Sequence, residues 1–148
     1  MAAHWETDSI VVGVDGSEHA EHAVAVASDI ARQSGARLTF VTVVRPPEGW
    51  WGIVGSPPTP SAVSDAIADA QRDVLEDALA KVDLDGIEHK VLTAIGDPAR
   101  ELLATCVEEE ADLLVIGKRG AGLLERVMLG SVANRVANHV PIPLLVVP

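Results

Sequence analysis

Residues 112–131 read DLLVIGKRGAGLLERVMLGS, and their order of residue types decides the fold. Asp112 to Ile116 is a short, continuous apolar run of the kind that makes a strand buried on both faces. A segment punctuated by Gly117, Gly120 and Gly130 follows, with the spacing G-x2-G-x9-G-S, and Ser131 opens a helix reaching His139. A buried strand that passes through glycines into a helix amino terminus is the turn at which open α/β sheets hold anionic ligands. Gly117 and Gly120 are expected to allow positive φ and to remove Cβ atoms where main-chain N–H groups approach phosphate oxygens. Gly130 and Ser131 add further N–H groups, the positive end of a helix dipole and a hydroxyl. The segment is neither a Walker loop nor a G-x-G-x-x-G fingerprint.

The same alternation extends in both directions. Ile10 to Val14 is a β-branched run stopped by Asp15-Gly16-Ser17, and Glu18 to Ser34 carries Ala20, Ala23, Val24, Ala27, Ile30 and Ala31 on one helical face before Gly35. Arg37 to Val44 reads as a second buried strand. Residues 45–61, with five prolines and three glycines, interrupt the pattern as a long loop holding Trp50 and Trp51. These two cover either a ligand or a partner surface, or anchor the loop to the domain. Helical spacing returns from Ala62 to Val82 through Val63, Ile67, Ala70, Val74 and Ala78. Ile87 to Ile95, of mixed polarity, reads as an edge strand. Asp97 and Pro98 then begin a helix whose buried face is expected to be Leu102, Leu103, Cys106 and Val107. Pro143 to Val147 is the fifth strand. Strand and helix alternate throughout, so right-handed crossovers give one doubly wound α/β domain over 1–148, a parallel sheet with helices on both faces.

Composition excludes several classes of function. The formal net charge is −11, which opposes binding to nucleic acid and to anionic membranes. No apolar run approaches the ~20 residues of a membrane span, and the first residues lack a secretory signal, so a cytoplasmic protein is expected. Cys106 is the only cysteine and falls on an inward helical stripe, as a packed thiol rather than a nucleophile. The five histidines, His4, His19, His22, His89 and His139, show no metal-ligand spacing and suit surface or helix-end positions. No direct metal ligand is assigned. Lys118 and Arg119 could neutralise phosphate charge, whereas Arg126 and Arg135 equally suit surface pairs with Glu125 or other acids.

Three matches, VVGVDGS from Val11 to Ser17, LTFVTVV from Leu38 to Val44, and the glycine segment followed by VANRVANHVPIPLLVVP, resemble the universal stress protein family over essentially the whole chain. The resemblance implies a five-stranded sheet of order 3-2-1-4-5, Rossmann-like, with ATP and Mg²⁺ at the switch point between the first and fourth strands. It implies a site of Gly13, Val14, Asp15, Val43, Ile116, Gly117, Lys118, Arg119, Gly120, Gly130, Ser131 and Val132. In it Asp15 stands near ribose and phosphate-bound Mg²⁺, and the Val43 main chain meets adenine. It also implies a homodimer joined through Pro143 to Val147, whose apolar edge a monomer would expose. For Asp15 the residues alone equally allow a plain cap or Asx turn. The expected role is regulatory, a stress-response protein holding ATP with little or no turnover, since no nucleophile is paired with a base. A slow ATPase and an interaction module that binds no nucleotide are the alternatives.

Overall fold

In a computed structural model the described residues are 4–45, 60–118 and 129–148, with the side chains of 60–64 left aside. Five strands are present, β1 (Ser9–Gly13), β2 (Arg37–Val44), β3 (His89–Ile95), β4 (Leu113–Gly117) and β5 (Leu144–Val147). They alternate with helices α1 (Glu18–Ser34), α2 (Pro60–Leu79), α3 (Pro98–Glu108) and α4 (Ser131–His139). The sheet order is β3-β2-β1-β4-β5 and every pairing is parallel. The expected doubly wound architecture is therefore the observed one.

Each strand alternates its side chains between two cores. Ile10 and Val12 of β1, Leu38 and Phe40 of β2, and Leu113 and Val115 of β4 pack with α1 and the inner face of α2. Val11, Val41, Leu114 and Ile116 pack on the opposite face with Leu102 and Cys106 of α3 and Val136 of α4. Small residues let α1 lie close to the sheet: Ala20, Ala23, Ala27 and Ala31 are all buried. Ser17 caps this helix by accepting the Ala20 N–H at 3.1 Å. Gly35 ends it at φ 78°, its N–H bonded to the Ala31 carbonyl.

Three helical assignments shift. In α2 Ala70 is exposed and Gln71 takes the inward position, so the buried stripe runs Ile67, Gln71, Leu75, Ala78. Gln71 Nε2 donates to the carbonyls of Ala94 (2.8 Å) and Thr42 (3.2 Å), clamping β2 to β3 near their carboxyl ends. A polar side chain is tolerated at full burial because its donors are matched. The helix stops at Leu79, although Val82 still packs against the core. In α3 the inward face is Ala99, Leu102, Thr105 and Cys106, while Val107 is 70% exposed. Val107 follows Cys106 by 100° of helical rotation, which carries it off the stripe. The other expected helix limits, Glu18–Ser34 and Ser131–His139, are those observed.

The fifth strand also differs from expectation. Val147 is buried, and Leu144, Leu145 and Val146 are partly buried against the two cores, so the side chains of this edge are largely used within the chain. What β5 leaves open is its outer main-chain edge.

Candidate functional site

The carboxyl ends of β1 and β4 lie side by side at the point where the strand order reverses, and the helices that follow them depart to opposite faces. After Gly13 the chain makes one more bond to β2, from Val14 N–H to the Val41 carbonyl at 2.8 Å. The main-chain groups of Val41 therefore face β1, and those of Val43, two residues on, face the same way. Gly13 is paired with Val41, so β1 has already ended at the level of Val43. The Val43 N–H and C=O thus border the cleft rather than a strand.

Asp15 Oδ1 accepts both the Ser17 N–H (2.9 Å) and the Ser17 hydroxyl (2.5 Å). This is an Asx turn that seats the cap of α1, with Gly16 at φ 82°. Of the two readings of Asp15 the local one is thus present, and its side chain remains exposed. The cap itself is Ser17.

Across the cleft, Lys118 ties three elements together through its main chain. Its N–H donates to the Val147 carbonyl at 2.7 Å and its C=O accepts the Gly130 N–H at 2.9 Å. Lys118 and Gly130 are therefore held together, and the amino end of α4 stands beside the end of β4. Gly130 is the cap residue of α4, with φ −61° and ψ 163°, and no side chain among the described residues caps this helix. Ser131 is exposed at its first position, and Val132 is half-buried against the second core.

Gly117 differs from expectation. It is not among the residues with positive φ, and a Cβ there would lie 2.8 Å from the His19 carbonyl carbon and 2.9 Å from the Ala20 nitrogen. The first turn of α1 is pressed against the end of β4, so helix seating requires this glycine. Gly13 plays a milder version of the same part, with Ile116 and Leu102 side-chain carbons 3.3 Å from a Cβ placed on it. Ile116 contributes packing here, being 4% exposed. Arg119, Gly120, Arg126, Trp50 and Trp51 lie outside the described residues.

Sequence reasoning missed the charged cluster at the neighbouring strand ends. Asp97, at the cap of α3, accepts from Arg135 of α4 at 2.6 Å and from Arg45, just past β2, at 2.7 Å. The Arg135 hydrogen bond, joined by the Arg100 N–H, lowers the Asp97 carboxyl to a pKa of about 2. The Arg135 partner is an acid, as one of its expected alternatives had it, but it is the capping acid of α3, distant in sequence and adjacent in space. The signal was the G-D-P triplet, which marks a cap and says nothing of the second arginine. His19 stands in the first turn of α1, a helix-end position as expected, and its Nδ1 is enclosed with no hydrogen-bond partner among the described residues. Among those residues no helix is long and apolar enough to cross a membrane.

A parallel sheet of this order with a cleft at its reversal defines a Rossmann-like α/β protein. The model of the universal stress protein family matches residues 6–148, and the chain belongs to that family. It is 34% identical over 140 residues to a universal stress protein of Thermus aquaticus, covering 94% of this chain and 97% of that protein. Universal stress protein UspA from Lactobacillus plantarum superposes with a TM-score of 0.79 at 27% identity, covering 98% and 100% of the two chains. A universal stress protein solved in complex with cAMP superposes with a TM-score of 0.63 at 28% identity, covering 97% and 98%.

Proposed function

We propose that the cleft between β1 and β4 binds an adenine nucleotide, preferentially ATP with Mg²⁺, and that the chain is a cytoplasmic regulatory stress protein with little or no turnover. The observation that carries this reading is the Gly130 to Lys118 bond, which brings the uncapped amino end of α4 to the strand ends bordered by the Val43 main chain. The two halves suit the two halves of a nucleotide. A free N–H and C=O on one residue match the donor and acceptor edge of adenine, and an uncapped helix amino end suits phosphate. Val14, Asp15, Lys118, Gly130, Ser131 and Val132 would hold the ribose and phosphates. Mg²⁺, held chiefly by the phosphates, would supply charge neutralisation near Asp15. The structural relative bound to cAMP supports the same ligand class.

The test is calorimetric titration of nucleotide-stripped protein with Mg-ATP, AMP and cAMP, beside the variant Ser131→Glu. A carboxylate in the first turn favours the helix dipole, so this variant keeps its fold while repelling phosphate. Micromolar binding by the native chain, lost in Ser131→Glu, is expected; no heat at millimolar nucleotide would overturn the reading. A homodimer joined along β5 belongs to the same proposal. Because Leu145 and Val147 serve the monomer's own core, its proper probe is Val146→Pro. Lys118 N–H reaches Val147 and Leu114 N–H reaches Pro143, so the Val146 N–H points outward and proline removes it without breaking the β4 ladder. Sedimentation should then show monomer.

A further inference from the structure

The opposite edge of the sheet carries features that nucleotide binding does not use. β3 is terminal in the strand order, and Leu38 N–H bonds to the Glu88 carbonyl while Gly96 N–H bonds to that of Val44. The even-numbered residues of β3 therefore direct their main-chain groups to β2, and Val91, Thr93 and Ile95 direct theirs outward. The same three residues present uncharged side chains on the α2 side, and Val91 and Ile95 are 42% and 46% exposed. Edge strands are ordinarily guarded by charge or proline. Here the one lysine of the strand, Lys90, is paired with Glu109 at 2.7 Å.

Alongside this edge runs a groove of about 600 Å³ between Leu75 and Leu79 of α2 and Val91 and Thr93 of β3, with Arg72 and Glu76 at its margin. Asp65, Asp69 and Glu76 share one face of α2 with Arg72, being spaced by four, three and four residues, and all are exposed. Arg72 is already engaged with Asp69 at 3.4 Å. The groove is thus apolar at its floor and acidic along its outer wall.

We propose that the β3 edge and this groove dock an extended segment of a partner protein that adds to the sheet as a strand, with apolar and basic residues together at every second position, on the face turned to α2. Main-chain bonds to Val91, Thr93 and Ile95 supply affinity, apolar side chains enter the groove, and lysine or arginine meets Asp65, Asp69 and Glu76. Charge decides against a second copy of this chain. A twofold pairing of β3 with β3 brings two identical acidic α2 faces to the same side of the joined sheet, where like charges oppose each other.

The probe is a capped eight-residue peptide alternating a lysine or valine with threonine (Lys-Thr-Val-Thr-Lys-Thr-Val-Thr), titrated into the full isotope-labelled chain and followed by amide chemical shifts. Saturable shifts at Val91, Thr93 and Ile95 are expected. Glutamate in place of the two lysines should weaken binding about fivefold or more, and the double variant Asp69→Lys with Glu76→Lys should reverse that preference. Both sites are exposed, so the variant retains its fold. An equal response to a peptide N-methylated at alternate amides, shifts spread over the acidic surface without those three amides, or no binding would each overturn the proposal. So would a concentration-dependent dimer abolished by Ile95→Lys, which would assign the edge to a second copy.

Discussion

Replacing Gly117 by alanine separates what the glycine does for the fold from what it does for a ligand. The added Cβ would sit 2.8 Å from both the carbonyl carbon and the Cβ of His19 and 2.9 Å from the Ala20 nitrogen. Carbon contacts are comfortable at about 3.5–4.0 Å, so the first turn of α1 or the end of β4 must retreat by roughly 0.7 Å or more. Overpacking costs about 1–3 kcal/mol. The upper end applies because two of the three obstructing atoms are backbone and cannot rotate away. Alanine at an unstrained position returns about 0.4–1 kcal/mol by restricting the unfolded chain, leaving a net loss of about 2 kcal/mol. For a chain of 148 residues this lowers Tm by roughly 6–8 °C. Scanning calorimetry of Gly117→Ala beside Gly13→Ala is the assay, since Gly13 meets only side-chain ends, which can rotate. Gly13→Ala should fall by less than half as much. A Gly117→Ala protein that melts with the native chain but no longer binds nucleotide would refute the helix-seating argument and return this glycine to the ligand.

Other outcomes follow from groups described above. Gln71→Glu places a carboxylate against the Thr42 and Ala94 carbonyls at a buried position, raising its folded pKa. Relative to the native chain, the variant should be strongly destabilised at pH 7 and regain stability as pH falls towards the unfolded value, measured by urea unfolding at several pH values. Asp97 behaves oppositely: with its folded pKa near 2 and an ordinary value of 3.8, the unfolded state binds the proton first. The stability it contributes is full above about pH 4 and disappears as pH falls to about 2. Asp97→Asn, which keeps the α3 cap, should flatten this acid limb in denaturation curves. Burial raises the Cys106 thiol to about 11, so a thiol reagent at pH 8 should label it only as fast as the chain opens. Rapid labelling of folded protein would contradict that burial.

The strand and helix order was legible because each element carried its own period and its own stop: Ser17 and Gly35 around α1, and Asp97 and Pro98 before α3. The errors lie where a local pattern is satisfied by a distant partner. The inward stripe of α2 was read through Ala70 and not Gln71, because the two acceptors that make Gln71 an inward residue are carbonyls on strands more than 20 residues away in sequence. Val107 looked inward because it is apolar and next to Cys106, although adjacent helical residues lie 100° apart. For Gly117 the spacing marked a constrained position, but the expected positive φ is absent and the close neighbour is the first turn of α1. Spacing shows where a Cβ is missing and not which atoms approach the vacated space. Asp97 was found as a cap and missed as a charge hub, because Arg45 and Arg135 reach it from elements that only the folded sheet brings near.

These misassignments bear on how variants at the carboxyl end of the sheet must be interpreted. One close packing and two sets of bonds hold that end together: Gly117 beneath α1, Lys118 between Val147 and Gly130, and Asp97 between Arg45 and Arg135. All three are satisfied within the chain. Among the described residues, the groups they leave unspent include the Val43 main-chain edge and the amino end of α4. A ligand placed there draws on donors and acceptors that folding does not need, so binding and stability should respond to different substitutions. Changes at Gly117 or Asp97 should move Tm and reduce binding only as far as they unfold the site. Ser131→Glu should leave Tm unchanged or raise it while removing phosphate affinity. If instead affinity tracks Tm across all of these variants, the cleft has no ligand-specific contacts of its own, and the nucleotide reading fails with it.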